Sequence, residues 1–181
     1  MAGTAVTARN WSLPDQPASE DLIEGILGIR PDSPLGALRR RRPEALRHAE
    51  GAFRELLLPK DPGALSRAER AALALRVARQ AGDAALAARY RALLQAADAA
   101  MVAEVEAPGT PSGESRLGAL LRYADQVALA PEGTSQADMD RLAALGLSSR
   151  EIVAATQLIA FVPYQVRLLA GLRAMLQERP Q

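Results

Sequence analysis

The chain has 181 residues, enough for one domain, and its 22 basic and 21 acidic side chains leave a net charge of +1. So even a balance gives no one-sided field, and neither nucleic acid nor a membrane surface is an expected partner. The absence of cysteine excludes disulfides, thiolate catalysis, thiolate zinc sites and cysteine-ligated iron–sulfur clusters. One histidine (His48) and one lysine (Lys60) speak against a multi-histidine metal site or a Schiff base, so no metal and no cofactor is expected.

Apolar residues make up 49% of the chain but aromatics only 3%, so the core must be built from Leu, Ala, Val and Ile. Many alanines let helices approach closely, and the predicted class is all-α. Residues 1–18 read as a flexible arm; Trp11 there needs a surface, either its own domain or a neighbouring subunit. The arm lacks the apolar stretch of a secretory signal, and no run approaches 18 apolar residues, so the cytoplasm is the expected location. Residues 19–177 read as one domain and 178–181 as a tail.

Ser19 is the expected cap of a short helix over EDLIEGIL, closed by Gly28. Ser33-Pro34 opens a second short helix, and Pro43 starts a third at the position where proline costs no hydrogen bond. On the third, Leu46, Ala49, Phe53 and Leu56 form an apolar stripe. Arg39 to Arg42 read as a solvated face offset by Glu44, Glu50 and Glu55, or else as an anion site. His48, beside the stripe, reads as a partly buried structural histidine or a proton carrier.

After a turn at 59–63, Leu65–Tyr90 is the most informative stretch. Ser66 and Glu69 have capping-box spacing, an almost wholly apolar helix follows, Gly82 closes it and Asp83 caps the next. Residues 98–106 continue that helix with some irregularity, and APGTPSGES is a loop. SRLGALLRYADQVAL follows as an amphipathic helix with Leu117, Leu120, Leu121, Ala124, Val127 and Ala128 on one side. A short helix ends at Gly146. Leu147–Glu151 then repeats the Leu65–Glu69 pattern, either as a second capping box or as an internal duplication of a helical pair. The last helix, 149–177, carries Pro163 in its interior, which should kink it. Around the kink lie Thr156, Gln157, Tyr164, Gln165 and Arg167, with Gln157, Phe161 and Tyr164 close to one face.

LSRAERAAxAxxVA with its following helix, and GLSSREIVAATQLIAFVPYQVRLLAGL, resemble the alkylhydroperoxidase D-like/carboxymuconolactone decarboxylase family over residues 33–176. The resemblance implies a helical-bundle fold and a homo-oligomer, dimers commonly assembling into trimers or hexamers. In redox-active members a Glu is followed after eleven residues by Cys-x-x-Cys-x-x-x-His, whose thiolate attacks a peroxide. The preferred register sets that Glu at Ala71, the cysteines at Asp83 and Leu86, and the His at Tyr90. A second register, with Glu69 as the Glu, sets the others at Ala81, Ala84 and Ala88. Both lack the thiols and the histidine, so peroxidase chemistry does not carry over.

Two functions remain open. One is a redox-inactive homo-oligomeric binding or assembly protein. The other is a non-thiol enzyme, decarboxylase- or lyase-like, doing acid–base chemistry on a small organic acid. For the latter, Asp83, Tyr90 and Glu69 are the candidate catalytic residues. Arg76, Gln80, Gln157, Tyr164, Arg167 and His48 are candidate ligand-binding residues. The competing reading has Asp83 as an N-cap, Glu69 as a capping residue and Tyr90 as core.

Overall fold

A computed structural model describes residues 21–109, 111–112 and 115–177. The predicted arm, Trp11, the Ser19 cap and the tail at 178–181 lie outside these. The described residues are helical with no strand: α1 (Leu22–Leu27), α2 (Pro34–Arg40), α3 (Pro43–Leu57), α4 (Arg67–Gln80), α5 (Ala84–Ala97), α6 (Ala100–Glu106), α7 (Arg116–Leu129), α8 (Gln136–Ala144) and α9 (Ser149–Gln177).

Most helix starts follow from local chemistry. The Ser66 hydroxyl accepts from Glu69 N at 3.1 Å, and the Glu69 carboxylate accepts from Ser66 N at 2.8 Å, completing the capping box. Ser33, Asp83 and Ser115 cap α2, α5 and α7 through their side chains. The described start of α1 differs from the expectation of Ser19: Asp21 caps it, its Oδ1 accepting from Ile23 N and Glu24 N. Gly28, Gly82 and Gly146 sit at positive φ where helices end, as their positions predict.

α4 is the hub, packing against α3, α5, α6, α7 and α9. Ala71, Ala72, Leu73, Ala74, Leu75, Val77 and Ala78 are all buried, so the helix is enclosed on nearly every side. Each of its buried Leu and Val side chains contributes about 1.5–3 kcal/mol, and the alanines let its neighbours close in. The stripe on α3 is half-buried, and the predicted inner face of α7 is buried at Leu117, Leu120, Leu121 and Ala124.

α9 runs unbroken through Pro163. By length and composition it could cross a membrane, which the reading of apolar runs missed, but its inner side is packed into the bundle. Its start repeats that of α4 in part: Ser148 N donates to Glu151 at 2.7 Å as Ser66 N does to Glu69, but the Ser148 hydroxyl donates to the same carboxylate at 2.5 Å instead of accepting from the helix. The likeness is one of helix starts, since α9 has no turn corresponding to Gly82.

The two starts are tied together. Glu151 Oε1 also accepts from Ala64 N at 3.0 Å, while Arg116 pairs with Glu69 at 2.6 Å and donates to the carbonyls of Ala64 and Leu145. Gly63, at φ +61°, leaves room for this, because a Cβ there would lie 2.4 Å from Glu151 Oε1.

Candidate functional site

Asp83 and Tyr90 stand on α5 where the resemblance would put a thiol and a histidine. Both face α9, and each is held there by its own partner. Arg173 grips Asp83 with Nη1 at 2.6 Å from Oδ2 and Nη2 at 3.2 Å from Oδ1, while Asp83 Oδ1 accepts from Leu86 N at 3.0 Å. The Arg173 hydrogen bonds hold the Asp83 carboxyl below its ordinary value. Tyr90 is fully buried, and its hydroxyl donates to Gln165 Oε1. Burial drives its phenol far upward, opposed in part by the Gln165 bond. The result is two polar rungs between antiparallel helices, about two turns apart. Leu86, at the second thiol position, is buried core.

Asp83 therefore makes a testable contribution to acid stability. Its folded pKa lies below the unfolded one, so its stabilisation is complete above the ordinary 3.8 and is lost as pH falls through the lowered value. Asp83→Asn should cost about 1–2 kcal/mol near neutrality, a modest figure because Arg173 is partly in water. Urea midpoints measured against pH should fall less steeply below 3.8 in the variant than in the parent. Parallel curves would remove the ion pair from the account.

The other candidates disperse. Glu69 is buried in its capping box and paired with Arg116. Arg76 and Gln80 do share a side of α4, but both turn to Asp125 on α7: Arg76 Nε and Nη2 at 2.8 and 2.7 Å, and Gln80 through its amide. Hydrogen bonding to Asp125 raises the Arg76 pKa further. Arg76 Nη2 also donates to Gly109 O at 3.0 Å, fastening the loop after α6.

On α9 the polar residues divide between two faces. Thr156 and Gln165 point inward, to Tyr123 (2.6 Å) and Tyr90, whereas Gln157, Tyr164 and Arg167 are exposed. Phe161 and Tyr164 stack with ring centroids 5.8 Å apart. The predicted pocket near Asp83, Tyr90, Gln157 and Arg167 is thus divided: Asp83 and Tyr90 lie on the buried side of α9, and Gln157 and Arg167 on its outer side.

His48 corrects the sequence reading. Its side chain is 74% exposed, 3.6 Å from Glu44, because the α3 stripe turns position 48 to solvent. The Arg39–Arg42 run is corrected as well. Arg39 is buried against Asp21 and Glu24, and Arg40 reaches Glu24 at 2.9 Å, so the offsetting acids come from α1 and not from α3. Glu44 and Glu50 pair within α3 instead, with Arg47 and Arg54.

Sequence reasoning missed Asp125, Arg116 and Arg173. Each is a charge in or beside an apolar helix and so in need of a partner, and that signal was available. The structure adds an open groove of about 660 Å³ between the end of α3, the 59–63 turn and the first half of α9. Lys60, Asp61, Arg150 and Gln157 line it, and of the candidate residues Gln157 reaches it. Lys60 and Arg150 make no salt bridge among the described residues. On its wall Glu151 is held down to about 2 by its bonds from Ser148 and Ala64.

No family model and no curated protein matches the chain. Solved structures do. An uncharacterised peroxidase-related protein from Silicibacter sp. TM1040 superposes with a TM-score of 0.59 at 20% identity, over 88% of this chain and 86% of that one. The alkylhydroperoxidase AhpD core of an uncharacterised peroxidase-related protein from Ralstonia eutropha JMP134 gives 0.57 at 23% identity, over 89% and 88%. With its all-α order and these matches, the chain has the alkylhydroperoxidase D-like fold, in a version without cysteine.

Proposed function

We propose that this is a redox-inactive protein of the alkylhydroperoxidase-like group that works as a homo-oligomeric binding or assembly protein in the cytoplasm. One observation carries the reading: the α5 positions that would hold the reactive groups are taken up by structural rungs. A carboxylate saturated by Arg173 and a helix N-terminus has no need of a proton, and a phenol sealed against Gln165 has no path to a substrate.

The alternative, a non-thiol enzyme acting on a small organic acid, draws on the open groove. Lys60 and Arg150 there could receive a carboxylate, though the paired carboxylates and tyrosine lie elsewhere.

Native mass spectrometry of untagged protein, followed by denaturing analysis of released small molecules, separates the two. An empty multimer is expected. A stoichiometric organic acid released on denaturation would favour the enzyme, and a monomer would sink the assembly reading.

A further inference from the structure

A charge buried without a counter-charge stands in the wall of the open groove. Arg70 lines that groove, is 4% exposed, and makes no salt bridge among the described residues. Burying a cation is costly, and the usual compensation is a carboxylate beside it. The acids that act on Arg70 are engaged elsewhere: Glu69 with Ser66 N and Arg116, Glu151 with Ala64 N and Ser148. Burial lowers the Arg70 pKa; Glu151 opposes this, and the like charge of Arg150 adds to it. Two guanidiniums on one groove are thus close enough to repel.

A guanidinium carries five N–H groups. Those of Arg70 serve the carbonyls of Leu65, Leu56 and Pro62, which leaves two, one on each Nη. Lys60 and Arg150 bring further donors that no acid takes. The acids of the groove are less available, since Asp61 accepts from Gly63 N at 3.1 Å and Glu151 is filled. Glu55, Asp61 and Glu151 balance Lys60, Arg70 and Arg150 in charge, so the groove has no field for a polyanion. It suits a single anionic head held by directed donors.

The rest of the lining is apolar, with Leu56, Pro59, Pro62, Val153 and Ala154. The volume of about 660 Å³ lies within the roughly 300–1,000 Å³ of small-molecule clefts. Its walls are set in advance: Arg70 joins the end of α3 to the 59–63 turn, and Glu151 joins the start of α9 to Ala64. A ligand therefore pays little to order them.

We propose that this groove binds a monocarboxylate carried on an apolar body, its head on Arg70, Arg150 and Lys60 and its body along Leu56, Pro59 and Val153. The proposal rests on the binding half of the reading above and names the ligand class. An open groove lets its ligand exchange, so protein purified away from it still runs as an empty multimer.

Titration calorimetry of the full chain with decanoate tests this, against acetate, decanol and inorganic phosphate. Decanoate should bind once per chain, about tenfold or more tighter than any of the three. Arg70→Met would unsettle the fold, so the head is tested by combining Lys60→Gln with Arg150→Gln, both at exposed positions. Val153→Asp tests the body, and circular dichroism checks that the variants fold. Each should weaken decanoate by about tenfold. In NMR of nitrogen-labelled protein the Arg70 Nε–H signal should move with decanoate and stay put with decanol.

Decanol binding as tightly as decanoate, or variants binding decanoate like the parent, would reduce the groove to an apolar surface and overturn the site. Tighter phosphate would overturn the single carboxylate, and an unmoved Arg70 signal would overturn its place at the head. Light scattering on the same samples keeps the two readings apart. A multimer that ignores decanoate overturns the groove alone, whereas a monomer that binds it supports the groove and overturns the assembly.

Discussion

Replacing Arg70 with methionine is expected to cost the fold about 3–5 kcal/mol. The residue is 4% exposed, and its guanidinium donates to three backbone carbonyls: Leu65 at 3.0 Å, Leu56 at 2.9 Å and Pro62 at 3.1 Å. These carbonyls belong to the end of α3 and the turn that delivers the chain to α4. Burial lowers the Arg70 pKa, so the charge is held at a cost that the three bonds and nearby Glu151 offset. Methionine keeps the stem but leaves three acceptors unpaired, each worth of order 1–3 kcal/mol. Arg70→Lys, with one compact cation, should recover only part of this. Equilibrium urea unfolding reads the difference, and a loss below about 1 kcal/mol would show that water satisfies the carbonyls.

Tyr90→Ala comes next, at about 3–5 kcal/mol, because it empties a fully buried aromatic site between α5 and α9. Tyr90→Phe is the sharper probe. It fills the same space but leaves Gln165 buried without its donor, for about 1–3 kcal/mol. Adding Gln165→Leu in that background should restore part of the loss, giving a double-mutant cycle with clear coupling. Should a turnover ever be found, Tyr90→Phe should leave its rate intact while lowering the unfolding midpoint. Loss of rate with unchanged stability would return Tyr90 to the catalytic list.

What could be read from the sequence was what acts within a few residues. Ser66 with Glu69, Asp83 ahead of Leu86 and Gly82 between two helices are interactions of one turn, and each formed. Long-range partners were not legible. Arg76 meets Asp125 across 49 positions, Arg116 meets Glu69 across 47 and Asp83 meets Arg173 across 90, and no local pattern fixes such pairings.

The polar residues of α9 show the same limit. Spacing placed Gln157, Phe161 and Tyr164 close to one face, but whether a helix face looks at the core or at solvent is decided by the other helices. Arg39 failed as a surface charge for a related reason: the acids of α1 reach it only once α1 and α2 have folded back on one another.

The link between the starts of α4 and α9 has a consequence for how the fold loosens. Helix ends ordinarily fray one at a time, each at its own small cost. Here Glu151 belongs to the start of α9 yet holds the amide of Ala64, and Arg116 clasps Glu69, Ala64 and Leu145 together. Unwinding the first turn of α4 therefore releases the first turn of α9, and the reverse also holds. The two termini form one cooperative opening unit, so segments far apart in the chain breathe in step.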